Sequence, residues 1–116
     1  MLVKKNHIPK VEEIDPMGGR GHLLLEVVSG AIPLDARIET LARATLAPGA
    51  AVGYHVHESD AEAYYFLSGV GEYNDGEKSY RVEAGDVTYT PIGEGHGVEN
   101  VGDGDLVFLA LSVVSY

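Results

Sequence analysis

Four side chains in this chain have the types and spacing of a metal site: His55, His57, Glu62 and His96. On an extended strand, side chains at i and i+2 leave the same face with attachment points roughly 6.5 Å apart, so His55 and His57 can reach one ion while Val56 faces away. Glu62 follows the polar stretch Glu58-Ser59-Asp60-Ala61, which can turn the chain and return a carboxylate as a third ligand. Glu58 and Asp60 stand as substitute donors in the same cluster. His96 follows the Pro91 to Gly95 loop, whose glycines let the backbone bend close to the site. Three neutral imidazoles and one carboxylate suit a divalent transition metal better than Ca²⁺ or Mg²⁺, which take all-oxygen shells. On an octahedral ion, these four ligands leave two positions for a bidentate ligand, or for one ligand oxygen plus O₂ or water. A tetrahedral Zn²⁺ would be saturated by them and purely structural. The chain has no cysteine, so disulfides, thiolate ligands and thiolate nucleophiles are all excluded.

Positioning such a cluster requires several short strands rather than long helices. Fifteen glycines and five prolines interrupt the chain at short intervals, and no long segment keeps a helical period. In RIETLARATLAPG, Ile38, Thr40, Ala42, Ala44 and Leu46 alternate with Arg37, Glu39 and Arg43 until Pro48-Gly49 stops the run, so it reads as a strand. Further strands are expected at His22 to Val28, Tyr54 to Val56, Ala63 to Leu67, Val70 to Tyr73, Ser79 to Val82, Val87 to Thr90 and Leu106 to Val114. Asp75-Gly76 suits a tight hairpin turn between two of them. Such spacing predicts an antiparallel sandwich or small barrel. Alternation from Glu62 sends Tyr64 and Phe66 inward, as pocket wall or as plain core, and Ala63, Tyr65 and Leu67 outward. Tyr54 faces away from the site. His7 and His22 read as ordinary polar residues, and Asn100 as a structural hydrogen-bonding one.

Two fixed-spacing signatures contain the four candidate ligands. The first is G-x5-H-x-H-x4-E-x6-G over Gly49 to Gly69, and the second is G-x5-P-x-G-x2-H-x3-N over Gly85 to Asn100. Together they resemble the two motifs of the cupin superfamily, most closely the small single-domain microbial cupins of the oxalate-decarboxylase-like group. The resemblance implies an all-β double-stranded β-helix, a jelly-roll barrel with both motifs in one mouth. It implies a barrel over residues 31–116 and an N-terminal arm over 1–30, packed on the barrel or on a neighbouring subunit, and hence a homodimer. It also implies a metal-dependent enzyme of dioxygenase or decarboxylase type acting on a small oxygenated or carboxylate substrate, with a non-catalytic ligand-binding barrel as the alternative. Mn or Fe is the favoured ion, with Ni, Co, Cu or Zn compatible.

The chain departs from the oxalate decarboxylases at one position. They carry an arginine three residues before the first motif histidine, and Val52 stands there. This weighs against oxalate turnover unless Arg20, Arg37, Arg43 or Arg81 reaches the pocket from elsewhere. Arg43 is the preferred candidate, because its strand leads into the first motif. The cupin thiol dioxygenases fit less well, because they typically lack the motif glutamate that Glu62 supplies here.

Bulk properties narrow the partners. At 116 residues, the chain has the length of one domain. A formal charge of −10 repels a phosphate backbone, so nucleic acid is not an expected partner. No run approaches the ~18 apolar residues of a membrane helix, and the N-terminus lacks the apolar stretch of a secretory signal. The expected location is the cytoplasm, without membrane attachment, and the expected partner is a small molecule.

Overall fold

The computed structural model describes residues 1–114. Ten strands form two antiparallel sheets facing each other around an apolar core: β1 (Lys10–Ile14), β2 (His22–Val27), β3 (Ile38–Leu46), β4 (Ala51–Val56), β5 (Asp60–Ser68), β6 (Val70–Asn74), β7 (Ser79–Glu83), β8 (Val87–Thr90), β9 (Gly95–Asn100) and β10 (Leu106–Val114). The larger sheet runs β1-β2-β3-β10-β5-β8 and the smaller runs β4-β9-β6-β7. This is the double-stranded β-helix that the resemblance implies. Three short 3-10 turns, at Lys5–His7, Pro16–Gly18 and Val28–Gly30, make up the helical content of the described residues.

Alternation explains the packing. Ala42, Ala44 and Leu46 of β3, Tyr64 and Phe66 of β5, and Leu106, Phe108 and Ala110 of β10 are buried between the sheets. Leu23 on β2, Tyr73 on β6, Val82 on β7, and Val52 and Val98 on β4 and β9 complete the same cluster. Phe66 and Phe108 sit 5.3 Å apart, ring to ring, with no more than 2% of either exposed. Burying two such rings contributes about 1.5–3 kcal/mol each.

Three features were not expected from the sequence. Strand β4 begins at Ala51, earlier than Tyr54. Strand β1 is an edge strand with a mostly exposed KVEEI sequence, so it lacks the apolar alternation of a half-buried strand. Strand β9 carries Gly95 and Gly97, residues of low strand propensity, yet it is almost wholly buried. Its glycines are required by close approach: a Cβ at Gly95 would sit 2.5 Å from the Tyr54 hydroxyl and 2.7 Å from the His55 carbonyl oxygen.

Within residues 1–30, strands β1 and β2 join the larger sheet of their own chain. Strand β1 pairs with β2, and β2 pairs with β3 in register from Leu23 opposite Leu46 to Val27 opposite Ala42. The turn at Pro16–Gly18 folds back onto β4, where Arg20 and Ala51 exchange backbone hydrogen bonds of 3.0 and 2.7 Å. At Gly53, a Cβ would lie 2.1 Å from the Met17 carbonyl oxygen, so only glycine admits this contact.

Candidate metal centre

The two sheets contribute to one cluster. His55 on β4 stands directly opposite His96 on β9 in the smaller sheet, and His57 follows at the end of β4. Glu62 comes from the facing sheet, on β5 opposite Thr90 of β8. The Pro91-to-Glu94 turn is fastened to His57 by two backbone hydrogen bonds, from Gly93 N to His57 O at 2.7 Å and from His57 N to Glu94 O at 2.9 Å. That clamp delivers His96 beside His57. One ligand atom from each of His55, His57, Glu62 and His96 lies within 4.8 Å of the others.

The rings are oriented by what their other nitrogens touch. His55 Nδ1 is 2.8 Å from the Gly53 carbonyl oxygen, and His57 Nδ1 is 3.0 Å from Asp60 Oδ1. His96 Nδ1 lies 2.8 Å from the Tyr73 hydroxyl and 2.9 Å from Thr90 Oγ1. A carbonyl or carboxylate oxygen accepts only, so His55 and His57 each donate from Nδ1 and keep an Nε2 lone pair. All three Nε2 atoms then converge: His57 Nε2 is 3.1 Å from that of His55 and 2.9 Å from that of His96. Glu62 Oε1 is 3.2 Å from His57 Nε2 and 3.0 Å from His96 Nε2. Burial holds the His55 imidazole below its ordinary pKa, which favours the neutral ring a metal requires. This donor set, with each imidazole fixed from behind, fits a divalent transition metal.

A cavity of about 240 Å³ opens against His55, His57 and Glu62. Val52, Ala42, Ala44, Tyr64, Phe108 and Ala110 supply apolar wall, and Pro16 and Met17 bring the N-terminal arm to it. Glu13, Glu39 and Asp60 also line it, and among the described residues no lysine or arginine does. Tyr64 stacks on His96 with ring centroids 4.8 Å apart, and burial pushes its hydroxyl pKa well up, so it stays protonated.

The sequence-derived candidates separate here. His55, His57, Glu62 and His96 are brought together, and Tyr64 reaches the cavity. Phe66 does point inward but lies in the core beyond the cavity, fully buried against Phe108. Arg43 is a correction: it projects from the outer face of β3 between the inward Ala42 and Ala44, opposite Glu26 of β2. Arg20 is tied to Gly49 and Glu99, and Arg37 to Asp35. Glu58 is exposed, whereas Asp60 stands behind His57. Asn100 is structural: its amide donates to the Leu46 and Gly104 carbonyls. Sequence reasoning missed Tyr73 and Thr90, which carry no motif signal, and the arm residues Glu13, Pro16 and Met17.

Comparison with known proteins agrees with this architecture. A family model described as a cupin domain matches residues 42–114, and the chain belongs to the cupin family. It is 35% identical over 114 residues to an oxalate-binding protein of Thermotoga maritima, covering 98% of this chain and 94% of that one. It is 40% identical over 72 residues to the oxalate decarboxylase OxdC of Bacillus subtilis, covering 58% of this chain but 19% of the much longer enzyme. A crystal structure described as a predicted oxalate decarboxylase from Thermotoga maritima superposes with a TM-score of 0.87 at 34% identity, over 99% of this chain and all of that one.

Proposed function

We propose that this protein binds a small oxygenated carboxylate, with oxalate as the leading candidate, through one divalent metal ion held by His55, His57, Glu62 and His96. The observation that carries the reading is the convergence of three Nε2 atoms and Glu62 Oε1, each imidazole anchored through Nδ1. The full-length similarity to a protein named for oxalate binding supports the ligand class. Mn or Fe is the favoured ion. When bound, the ion supplies a positive centre to which two carboxylate oxygens can chelate.

The chain's own residues do the rest. His55, His57 and His96 present neutral donors, and Asp60, Tyr73, Thr90 and the Gly53 carbonyl keep them oriented. Val52, Ala42 and Ala44 give the cavity an apolar wall against which a ligand's non-coordinating side would pack. With no lysine or arginine on the cavity wall and three carboxylates beside Glu62, an anion finds no counter-charge there except the ion itself. Val52 in place of an arginine therefore bears on turnover more than on chelation. Calorimetric titration of oxalate into Mn²⁺-loaded and metal-free protein tests this. One-to-one binding is expected only with metal loaded, and equal binding by both forms would overturn the reading.

A second reading has the same site turn its ligand over, as a metal-dependent oxidoreductase or lyase. It is favoured by Glu13 and Glu39, carboxylates on the cavity wall outside the ligand set that can accept or return a proton. Assay of CO₂, formate and O₂ consumption with loaded protein decides between binding and catalysis. The same functional reading takes the protein to be cytoplasmic and homodimeric.

A further inference from the structure

The inward face of the larger sheet changes character along its strands. At the level of the candidate ligands, one cross-strand row runs Thr40, Ser112, Glu62, Thr90 across β3, β10, β5 and β8. Every side chain in it ends in oxygen, whereas the next inward row begins with the alanines Ala42 and Ala110. Two members of the polar row have a defined use. Glu62 faces His57 and His96, and Thr90 Oγ1 lies 2.9 Å from His96 Nδ1. Ser112 and Thr40 have no such use in the metal centre. Both line the cavity, Ser112 is only 3% exposed, and neither hydroxyl is hydrogen-bonded to another described residue. A buried hydroxyl normally keeps a partner, because losing its hydration without one is costly. Here the partner must come from whatever fills the cavity.

We propose that Ser112 and Thr40 form a neutral oxygen-binding wall, their hydroxyls donating to the oxygens of a chelated carboxylate that the metal ion does not take. Residues directly opposite on neighbouring antiparallel strands have Cα atoms about 4.5–5.5 Å apart, so Ser112 stands beside Glu62, and Thr40 beside Ser112. A ligand on an ion held by Glu62 therefore comes within reach of Ser112 first and Thr40 second. The rest of the wall offers no better donor. Tyr64 has the third hydroxyl on the cavity, and it is turned to His96 Nε2 at 3.5 Å. The carboxylates of Glu13, Glu39 and Asp60 accept rather than donate, and among the described residues no lysine or arginine lines the cavity. A hydroxyl carries no charge, so it recognises oxygen by direction rather than by sign. The arrangement selects a carboxylate with a second oxygen on the adjacent carbon. Such a ligand can chelate through one oxygen of each carbon and leave a carboxylate oxygen for Ser112, whereas a simple carboxylate offers nothing beyond the ion.

This inference rests on the metal-bound carboxylate of the functional reading above and names the side chains that select it. Calorimetric titration of oxalate and of acetate into Mn²⁺-loaded protein tests it, with Mn²⁺ affinity measured on the same variants. Ser112→Ala is expected to weaken oxalate about 10-fold, the effect of one lost hydrogen bond to a charged oxygen. Thr40 supplies a second comparison that does not depend on how Ser112→Ala folds. Thr40→Val keeps the shape and removes the hydroxyl, so it should weaken oxalate, whereas Thr40→Ser keeps the hydroxyl and should not. Acetate, which has no oxygen beyond the carboxylate the ion takes, should bind all four proteins alike, and so should Mn²⁺. Unchanged oxalate affinity in both Ser112→Ala and Thr40→Val, or an equal loss for acetate or Mn²⁺, would overturn the hydroxyl wall and leave metal-dependent binding standing. Oxalate that failed to bind the unaltered Mn²⁺-loaded protein would overturn the functional reading and this assignment with it.

Discussion

The Nε2 atoms of His57 and His96 lie 2.9 Å apart, although 39 residues separate the two in the chain. With Nδ1 of His57 donating to Asp60, its Nε2 presents a lone pair toward the neighbouring ring. Two imidazole nitrogens this close, with Glu62 Oε1 3.2 and 3.0 Å from them, form a set of donors that one cation could share.

Metal loading should therefore stabilise the fold. At a free ion concentration one hundred times the dissociation constant, the gain is about 2.7 kcal/mol. For a domain of this size, that corresponds to a melting temperature roughly 10 °C higher. Scanning calorimetry before and after chelator treatment measures it. His96→Ala should abolish both the shift and stoichiometric metal uptake, because it removes one of the four proposed ligands and leaves a buried gap.

Tyr73 and Thr90 should matter without touching the ion. Both hydroxyls lie within hydrogen-bond distance of His96 Nδ1, so either single substitution leaves a partner in place. Tyr73→Phe combined with Thr90→Val is expected to weaken metal binding by about 10–100-fold while the circular dichroism spectrum is retained. Unchanged affinity in the double variant would remove their orienting role.

Acidification should destabilise the metal-free protein. Burial holds the His55 pKa below 6.5 in the folded state, so near that pH the unfolded chain binds the extra proton and the folded chain does not. Stability then rises with pH through this window and falls as pH drops below about 6.5, until folded His55 itself titrates. Urea midpoints of metal-free protein at successive pH values check the sign, and His55→Gln should flatten the slope.

Gly53→Ala should loosen the arm. The added methyl would meet the Met17 carbonyl oxygen at 2.1 Å, so either the Pro16–Gly18 turn or β4 must move. Overpacking of this kind costs about 1–3 kcal/mol. Faster hydrogen exchange at the Arg20 and Ala51 amides, which pair across this junction, is the expected signature.

Much of the barrel was legible because alternation and turn residues are local signals. In β3, the inward Ala42 and Ala44 and the outward Arg43 follow from period two alone, and that same alternation removes Arg43 from the pocket. Strand β9 was not legible, because its glycines argue against a strand until the close approach of β4 is known. Phe66 shows the limit of alternation: it says that a side chain points inward, but not whether it meets a cavity or another ring.

The four candidate ligands were set down by the sequence itself: His55, His57 and Glu62 at spacings that one strand and the turn after it can span, and His96 through the second signature. Tertiary structure alone decided which atoms face which. Pairing β4 with β9 and folding β5 across from them joins residues distant in the chain, so the Tyr73 and Thr90 contacts to His96 and the arm at the cavity exist only once both sheets have closed. Local patterns specify which way a side chain leaves its strand. What it then touches depends on strand order and register, which are properties of the whole chain.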